Sequence, residues 1–173
     1  MQFYYQRVKS LLIMLGFLGW QQGQEYLYGQ ASVPDSLNLP KVFLIGEFEE
    51  QYEMLYREFN DVLLSVCNED MHYAFDKWVG MISEMEAYSR QIDYDLKGIK
   101  LWLKVFWNAN GTIRYISYFL KPTSRLIEMV DLNAFMSSFI NHYQMSIDSD
   151  VPFRHDGSAQ FPTFILEPES LKN

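Results

Sequence analysis

The stretch that decides the fold is Gly98 to Leu120, which reads GIKLWLKVFWNANGTIRYISYFL. Two apolar runs flank Asn110-Gly111, and this dipeptide is the strongest short signal for a β-hairpin because both residues accept positive φ. Successive side chains of a strand point to opposite faces, so a sheet with one buried face shows apolar residues at alternate positions. Here both faces are apolar. The hairpin therefore has to be covered on both sides, or one side has to meet a partner.

The alternation assigns the hairpin side chains to two faces. The first face carries Ile99, Leu101, Leu103, Val105, Ile116, Tyr118 and Leu120. The second face carries Trp102, Phe106, Ile113, Tyr115 and Phe119, interrupted by Lys100, Lys104 and Ser117. A wet second face would expose roughly several hundred Å² of apolar surface, more than soluble monomers usually tolerate. We expect helices to cover it.

Two helices are predicted before the hairpin. Apolar residues recur at steps of three and four from Phe48 to Val66, which is typical of an amphipathic helix. Asn68 is predicted to cap a second helix that runs to about Arg90. The short connection between them indicates that the two helices fold back as an antiparallel pair or meet at a sharp kink. The expected contacts of this helical pair with the second face are Phe59, Leu63, Trp78 and Ile82.

A third helix and a closing strand are predicted after the hairpin. Asp131 is predicted to cap the helix, whose apolar stripe ends at Tyr143. A polar loop over 146–158 leads to a strand over 159–166, and Pro162 indicates that this strand lies at an edge. The predicted order is α-α-β-β-α-β, an α+β fold. The C-terminal helix is expected on one face of the sheet and the N-terminal helical pair on the other.

The N-terminus has the features of an export signal. Arg7 and Lys9 precede an apolar run, Leu11 to Trp20, that is shorter than the ~20 residues needed to span a bilayer. Gly29-Gln30-Ala31 fits the small-x-small rule for cleavage. The gap from Trp20 to Ala31 is longer than usual, so two alternatives stay open: an earlier cleavage site, and retention of the segment as an anchor. The predicted division of the chain is a signal peptide 1–31, a linker 32–46, a single domain 47–166 (helical pair 47–92, β-β-α-β unit 95–166) and a tail 167–173.

Composition and motif content argue against several functions. The formal net charge of -8 disfavours a nucleic-acid surface, which needs lysine and arginine to neutralise phosphates. Cys67 is the single cysteine, so neither a disulfide nor a cysteine metal cluster is expected, and we predict that it is a small buried apolar residue. His72, His142 and His155 lack metal-ligand spacing. We predict no catalytic residues, no cofactor and a non-enzymatic protein.

Two segments resemble the C-terminal domain of TonB-like energy-transducing proteins: DLKGIKLWLKVFWNANGTIRYISYFL and LIEMVDLNAFMSSFINHY. Gly98 matches the glycine before the first strand, and Asn110-Gly111 matches the hairpin. Asp131 and Ala134 match the start of the helix, and 161–166 matches the closing strand. The resemblance covers about residues 95–166. The chain lacks the Tyr-Pro pair before the first strand, the Trp-x-Pro-like segment after the helix and the Pro-rich spacer.

The resemblance implies an exported protein-interaction module of the bacterial cell envelope, periplasmic or associated with the outer membrane and its transport. It implies recognition of an envelope protein by β-strand addition. The expected partner-binding residues are Trp102, Phe106, Tyr115, Phe119, Phe161 and Phe164. Two alternatives stay open: a small-ligand-binding protein with an apolar pocket between helices and sheet, and an enzyme of unrecognised class.

Overall fold

The structure, a computed structural model, describes residues 37–163. The predicted signal peptide, the first part of the predicted linker, and all residues after Thr163 lie outside this range. In chain order the elements are β1 (Val42–Leu44), α1 (Glu49–Glu58), β2 (Asp61–Val62), α2 (Leu63–Val66), α3 (Met71–Gln91), β3 (Lys100–Trp107), β4 (Ile113–Leu120), α4 (Met129–His142) and β5 (Phe153–Gln160). The predicted α+β class is confirmed.

The strands form one mixed sheet of five strands in the order β1-β4-β3-β5-β2. The central strand β3 is antiparallel to β4 on one side and to β5 on the other. The short outer strands are parallel to their neighbours, β1 to β4 and β2 to β5. Sequence had assigned residues 42–44 to a linker, and this is wrong because they form β1. A parallel strand of three residues is too short to produce a periodic signal.

The predicted assignment of the hairpin side chains to two faces is correct except at one residue. Trp102 pairs with Phe119 and Phe106 with Tyr115, which keeps these four side chains on the second face. The register shifts after Phe106, so that Ile113 pairs with Trp107 and joins the first face. The shift is a β-bulge, which places two residues of one strand opposite one residue of the other.

The helices do not divide between the faces as predicted. The long helix α3 lies beside α4 on the first face, where Tyr88 packs 6.1 Å from Phe135 and its hydroxyl lies 2.5 Å from the Ser138 hydroxyl. Leu63, Trp78 and Ile82 belong to this first-face core, so the prediction that they cover the second face is wrong. Helical periodicity identifies a buried stripe, but it does not say which side of a sheet the stripe meets.

The first predicted helix is interrupted, and the second predicted helix, α3, is capped by Asp70 and not by Asn68. The α1 helix ends at Phe59, and the next residues turn into β2, which pairs with the start of β5. The cap of α3 is Asp70, whose carboxylate accepts a hydrogen bond from the Tyr73 N–H at 3.0 Å, whereas Asn68 adopts a positive φ in the preceding turn. Cys67 is buried as predicted, and burial raises the pKa of its thiol.

The closing strand starts earlier than predicted. The segment 153–160, FRHDGSAQ, forms β5, and strand geometry ends before Phe161. Its polar composition had indicated a loop. The main-chain pairing with β3 over all eight residues holds it in the sheet regardless of composition.

The hairpin tip is fixed by contact with the chain after α4. The Gly111 N–H donates to the Asn108 carbonyl at 2.9 Å, and the Gly111 carbonyl accepts from the Met145 N–H at 2.9 Å. Gly111 has a φ of +80°, and a Cβ there would lie 2.0 Å from the Met145 carbonyl oxygen. Only glycine can hold this position.

We expect Gly111→Ala to lower the free energy of unfolding by ~2–4 kcal/mol. The new methyl group would clash with the Met145 carbonyl oxygen, and alanine is strained at a positive φ. Gly80→Ala is the control, since Gly80 lies in α3 with open space around its Cα. That change should raise stability by ~0.5–1 kcal/mol through helix propensity. Urea denaturation measures both, and equal effects of the two variants would contradict this account of the tip.

Candidate functional site

One end of the second face is buried under α1. Phe106 and Tyr115 are fully enclosed, with the Phe59 ring 5.4 Å from that of Phe106 and 6.4 Å from that of Tyr115. These residues form a second core whose buried members are Leu37, Leu39, Phe43, Leu55, Phe59, Phe106 and Tyr115. The expectation that helices cover the second face is therefore correct for this end, and Phe59 is the one predicted contact that lies there.

Polar contacts tie α1 to the sheet beside this core. The Lys104 ammonium donates to the Tyr56 hydroxyl at 2.7 Å and to the Asp156 carboxylate at 3.1 Å. Burial alone would lower the pKa of Lys104, but these two hydrogen bonds outweigh burial and raise it. Burial also raises the pKa of Tyr52 to about 12, and its hydroxyl lies 3.3 Å from that of Ser117. At neutral pH this cluster therefore holds a charged Lys104 and a neutral Tyr52.

The Arg154 guanidinium holds the C-terminal end of α1. It donates to the carbonyls of Phe59 and Asn60 at 2.8 and 3.0 Å and lies 4.4 Å from the centre of the Tyr56 ring. A cation at the carbonyl end of a helix is favourable because the helix dipole is negative there. Arg154 is thus occupied by structural contacts.

The other end of the second face is open. Trp102 and Phe119 pair across β3 and β4 and are 51% and 49% exposed, so the expectation of helical cover is wrong for them. The Lys121 ammonium lies 4.5 Å from the centre of the Trp102 ring and donates to the Ser158 hydroxyl at 2.5 Å. The α1 helix is only 10 residues long, and it reaches only one end of the strands.

The six predicted partner-binding residues therefore fall into three groups. Trp102 and Phe119 are exposed on one surface. Phe106, Tyr115 and Phe161 are buried, and a partner cannot touch them in this structure. Phe164 lies outside the described residues.

The edge of β5 is paired over only part of its length. Its outer neighbour β2 pairs with Phe153 and Arg154 alone. The Phe161 N–H donates to the Ile99 carbonyl, so the odd-numbered residues of this segment bond towards β3. Because antiparallel pairing alternates, the main-chain groups of Asp156, Ser158 and Gln160 point away from β3. Within residues 37–163 no strand pairs with these outward groups.

A groove of about 290 Å³ runs beside this open edge. Its helix side consists of Phe75, Trp78, Val79 and Ile82 of α3, and its strand side consists of Ser158, Ala159, Gln160 and Thr163. Phe75 is 62% exposed, and Met71 one turn earlier is 66% exposed, so the apolar stripe of α3 continues beyond the groove. An open strand edge therefore lies directly beside an exposed apolar helix stripe.

Trp78 forms the floor of the groove where α3 crosses β5. A Cβ on Gly157 would lie 2.6 Å from the indole, so glycine is needed for this close approach. The indole packs 4.7 Å from the His155 imidazole, and burial lowers the pKa of His155 despite the opposing effect of Asp156. The floor is therefore apolar and uncharged at neutral pH.

Both ends of the open edge are fixed. At its start, β2 turns directly into α2 after Val62. At its end, the Glu86 carboxylate accepts a hydrogen bond from the Thr163 N–H at 2.7 Å and pairs with Arg90 at 3.0 Å. Burial would raise the pKa of Glu86, but the bonds from Thr163 and Arg90 outweigh it and lower the pKa. The carboxylate thus stays ionised and anchors the chain beyond β5.

A second groove of about 420 Å³ lies at the C-terminal end of α3, and its lining mixes apolar residues with the charged side chains of Glu86, Arg90, Asp93, Asp95 and Lys97. Among residues 37–163, no three His, Cys, Asp or Glu side chains come together as a set that could hold a metal ion. In the same range, no helix combines the length and apolar character needed to cross a membrane.

Comparison with known proteins gives no relative. No family model, no curated protein and no solved structure matches the chain.

Sequence reasoning missed the groove because its parts lie far apart in the chain. Phe75 lies in the second predicted helix, and residues 156–158 were assigned to a loop. The sequence did contain one usable signal, which is Gly157. A glycine within a strand often marks a place where another group packs closely against the backbone.

The exposure difference along the second face predicts different costs for two aromatic truncations. Phe106→Ala should lower the free energy of unfolding by ~3–5 kcal/mol, as for other enclosed aromatics. Trp102→Ala should cost only ~1 kcal/mol, because half of that side chain is already in water. Chemical denaturation followed by far-UV circular dichroism compares them. A large loss for Trp102→Ala would mean that something covers it in solution.

Proposed function

We propose that this chain is a protein-interaction module that binds an extended segment of a partner protein as an added strand on the open edge of β5. The observation that carries the proposal is the juxtaposition of outward main-chain groups at 156, 158 and 160 with the apolar groove against α3. Added strands obtain affinity from main-chain hydrogen bonds and specificity from pockets for alternate side chains. This edge offers both.

The second observation in support is that the open edge is long enough for recognition. Residues 155–160 lie beyond β2, and at ~3.3 Å per residue they extend about 20 Å. Exposed edges of soluble proteins are normally blunted by charges, prolines or a covering element. Over 156–160 the edge of β5 carries Asp156 as its only charged side chain, and this carboxylate is already paired with Lys104.

Substituting Ser158 by proline tests strand addition without disturbing the sheet. The Ser158 N–H points away from β3, so proline removes a donor that only an added strand would use. The probe is the capped pentapeptide Thr-Val-Gln-Val-Thr, titrated into the full chain with the Gln160 amide signal, which parent and variant share, followed by NMR. We expect Ser158→Pro to weaken binding by at least about tenfold.

The matched control is Ser158→Ala, which keeps the main-chain donor and should bind the probe like the parent. Hydrogen exchange of the Ser158 and Gln160 amides in the parent should slow when the probe is added. Equal binding by the proline and alanine variants would contradict the proposal. So would amides that are already protected without a probe, because the edge would then be occupied by the protein itself or by a second copy.

We propose further that the module works in the bacterial cell envelope. Support comes from the basic residues and apolar run of residues 7–20 and from the resemblance of 95–166 to TonB-like domains. An envelope protein would be the partner, and outer-membrane transport the process it serves.

Export predicts that the native protein lacks its first ~31 residues, because signal peptidase cuts after small residues. Mass spectrometry of the protein purified from its own cells measures this directly. A chain that retains Met1 and fractionates with intracellular proteins would contradict the envelope assignment and leave strand addition unaffected.

A further inference from the structure

The Lys121 ammonium lies beside the position that an added strand would occupy. Lys121 follows β4, yet its side chain crosses Trp102 of β3 and reaches the Ser158 hydroxyl of β5. No carboxylate within residues 37–163 pairs with it, whereas the neighbouring Lys104 is bound to Asp156. Among the described residues the Lys121 ammonium is instead held by a hydroxyl and an aromatic ring, so its charge is not neutralised by a carboxylate there.

The register of the sheet fixes which side chain of an added strand would meet this ammonium. Trp102 pairs with Ser158, which places both on the second face. The residue of an added strand directly opposite Ser158 would share that face, with its Cβ about 5 Å from that of Ser158. An acidic side chain at this position would reach the Lys121 ammonium and form a charge-assisted hydrogen bond.

The two neighbouring residues of the added strand would point the other way. They would lie opposite Gly157 and Ala159 on the first face, where Phe75, Trp78, Val79 and Ile82 line the groove. Alternate side chains of a strand point to opposite faces, so these two positions favour apolar side chains. The same assignment holds for either direction of the added strand, because the pattern is symmetric.

We infer that the partner segment carries the pattern apolar–acidic–apolar, with the acidic residue opposite Ser158 and bound to Lys121. This inference rests on the proposed function, since it assumes an added strand on β5. It adds the chemistry that selects one extended segment among many. Main-chain bonds alone would accept any sequence, whereas the lysine on one face and the groove on the other discriminate between sequences.

The test compares three capped pentapeptides that differ only at the centre: Thr-Val-Glu-Val-Thr, Thr-Val-Gln-Val-Thr and Thr-Val-Lys-Val-Thr. Affinities for the full chain are measured by NMR titration at low salt. We expect the glutamate peptide to bind about threefold more tightly than the glutamine peptide and the lysine peptide to bind most weakly. Raising the salt concentration should reduce this difference, because the pair is partly exposed.

Charge reversal then assigns the preference to one side chain. Lys121→Glu should reverse the order so that the lysine peptide binds best, and Lys121→Gln should abolish the difference between the glutamate and glutamine peptides. Lys41→Glu is the matched control: it makes the same change in net charge near β1, at the opposite end of the strand order, and should leave the order unchanged.

The outcomes separate the inference from the proposed function. The three peptides could bind the parent equally while Ser158→Pro still binds them more weakly. In that case strand addition is supported and the acidic pattern is wrong. A glutamate preference that persists in Lys121→Glu also overturns the inference. If no peptide binds the parent, the proposed function fails, and the inference fails with it.

Discussion

The pairing of β3 with β4 on one side and β5 on the other is the constraint on which the rest of the structure depends. These are the long strands of the sheet, and every helix within residues 37–163 packs against a surface that they create. Once β5 lies beside β3, Gly157 receives the Trp78 indole and fixes α3 across the first face. The same pairing directs the other main-chain N–H and C=O groups of β5 away from β3, where a further strand could pair with them.

The sequence predicted the features that depend on residues close together in the chain and missed those that depend on contacts between distant segments. Asn110-Gly111 and the apolar runs beside it predicted the hairpin and its faces, because turn chemistry and alternation act over a few residues. The strand β5 was missed, since its polar sequence is held by pairing with a distant strand. The assignment of α3 to the first face was missed for the same reason: a buried stripe does not specify which surface buries it.

The candidate site shows the same division. The sequence treated Trp102, Phe106, Tyr115 and Phe119 alike, as residues of one face. In the structure Trp102 and Phe119 are exposed, whereas Phe106 and Tyr115 are enclosed. The difference depends on where α1 ends, and that end depends on Arg154, which comes 95 residues after Phe59 in the chain. The contact between Lys121 and Ser158 also depends on the order of the strands in the sheet. Contacts of this range leave no periodic trace in a sequence.

The shortness of β2 has a consequence for aggregation. A fully open edge as long as β5 would be a template on which further copies could stack without limit, as in cross-β fibres. The two residues of β2 and the turn into α2 close the first part of this edge, and the bond from Thr163 to Glu86 fixes the chain beyond its other end. Any strand that docks between these limits has a bounded length. These limits restrict self-propagating assembly along the part of the edge that is unpaired among the described residues.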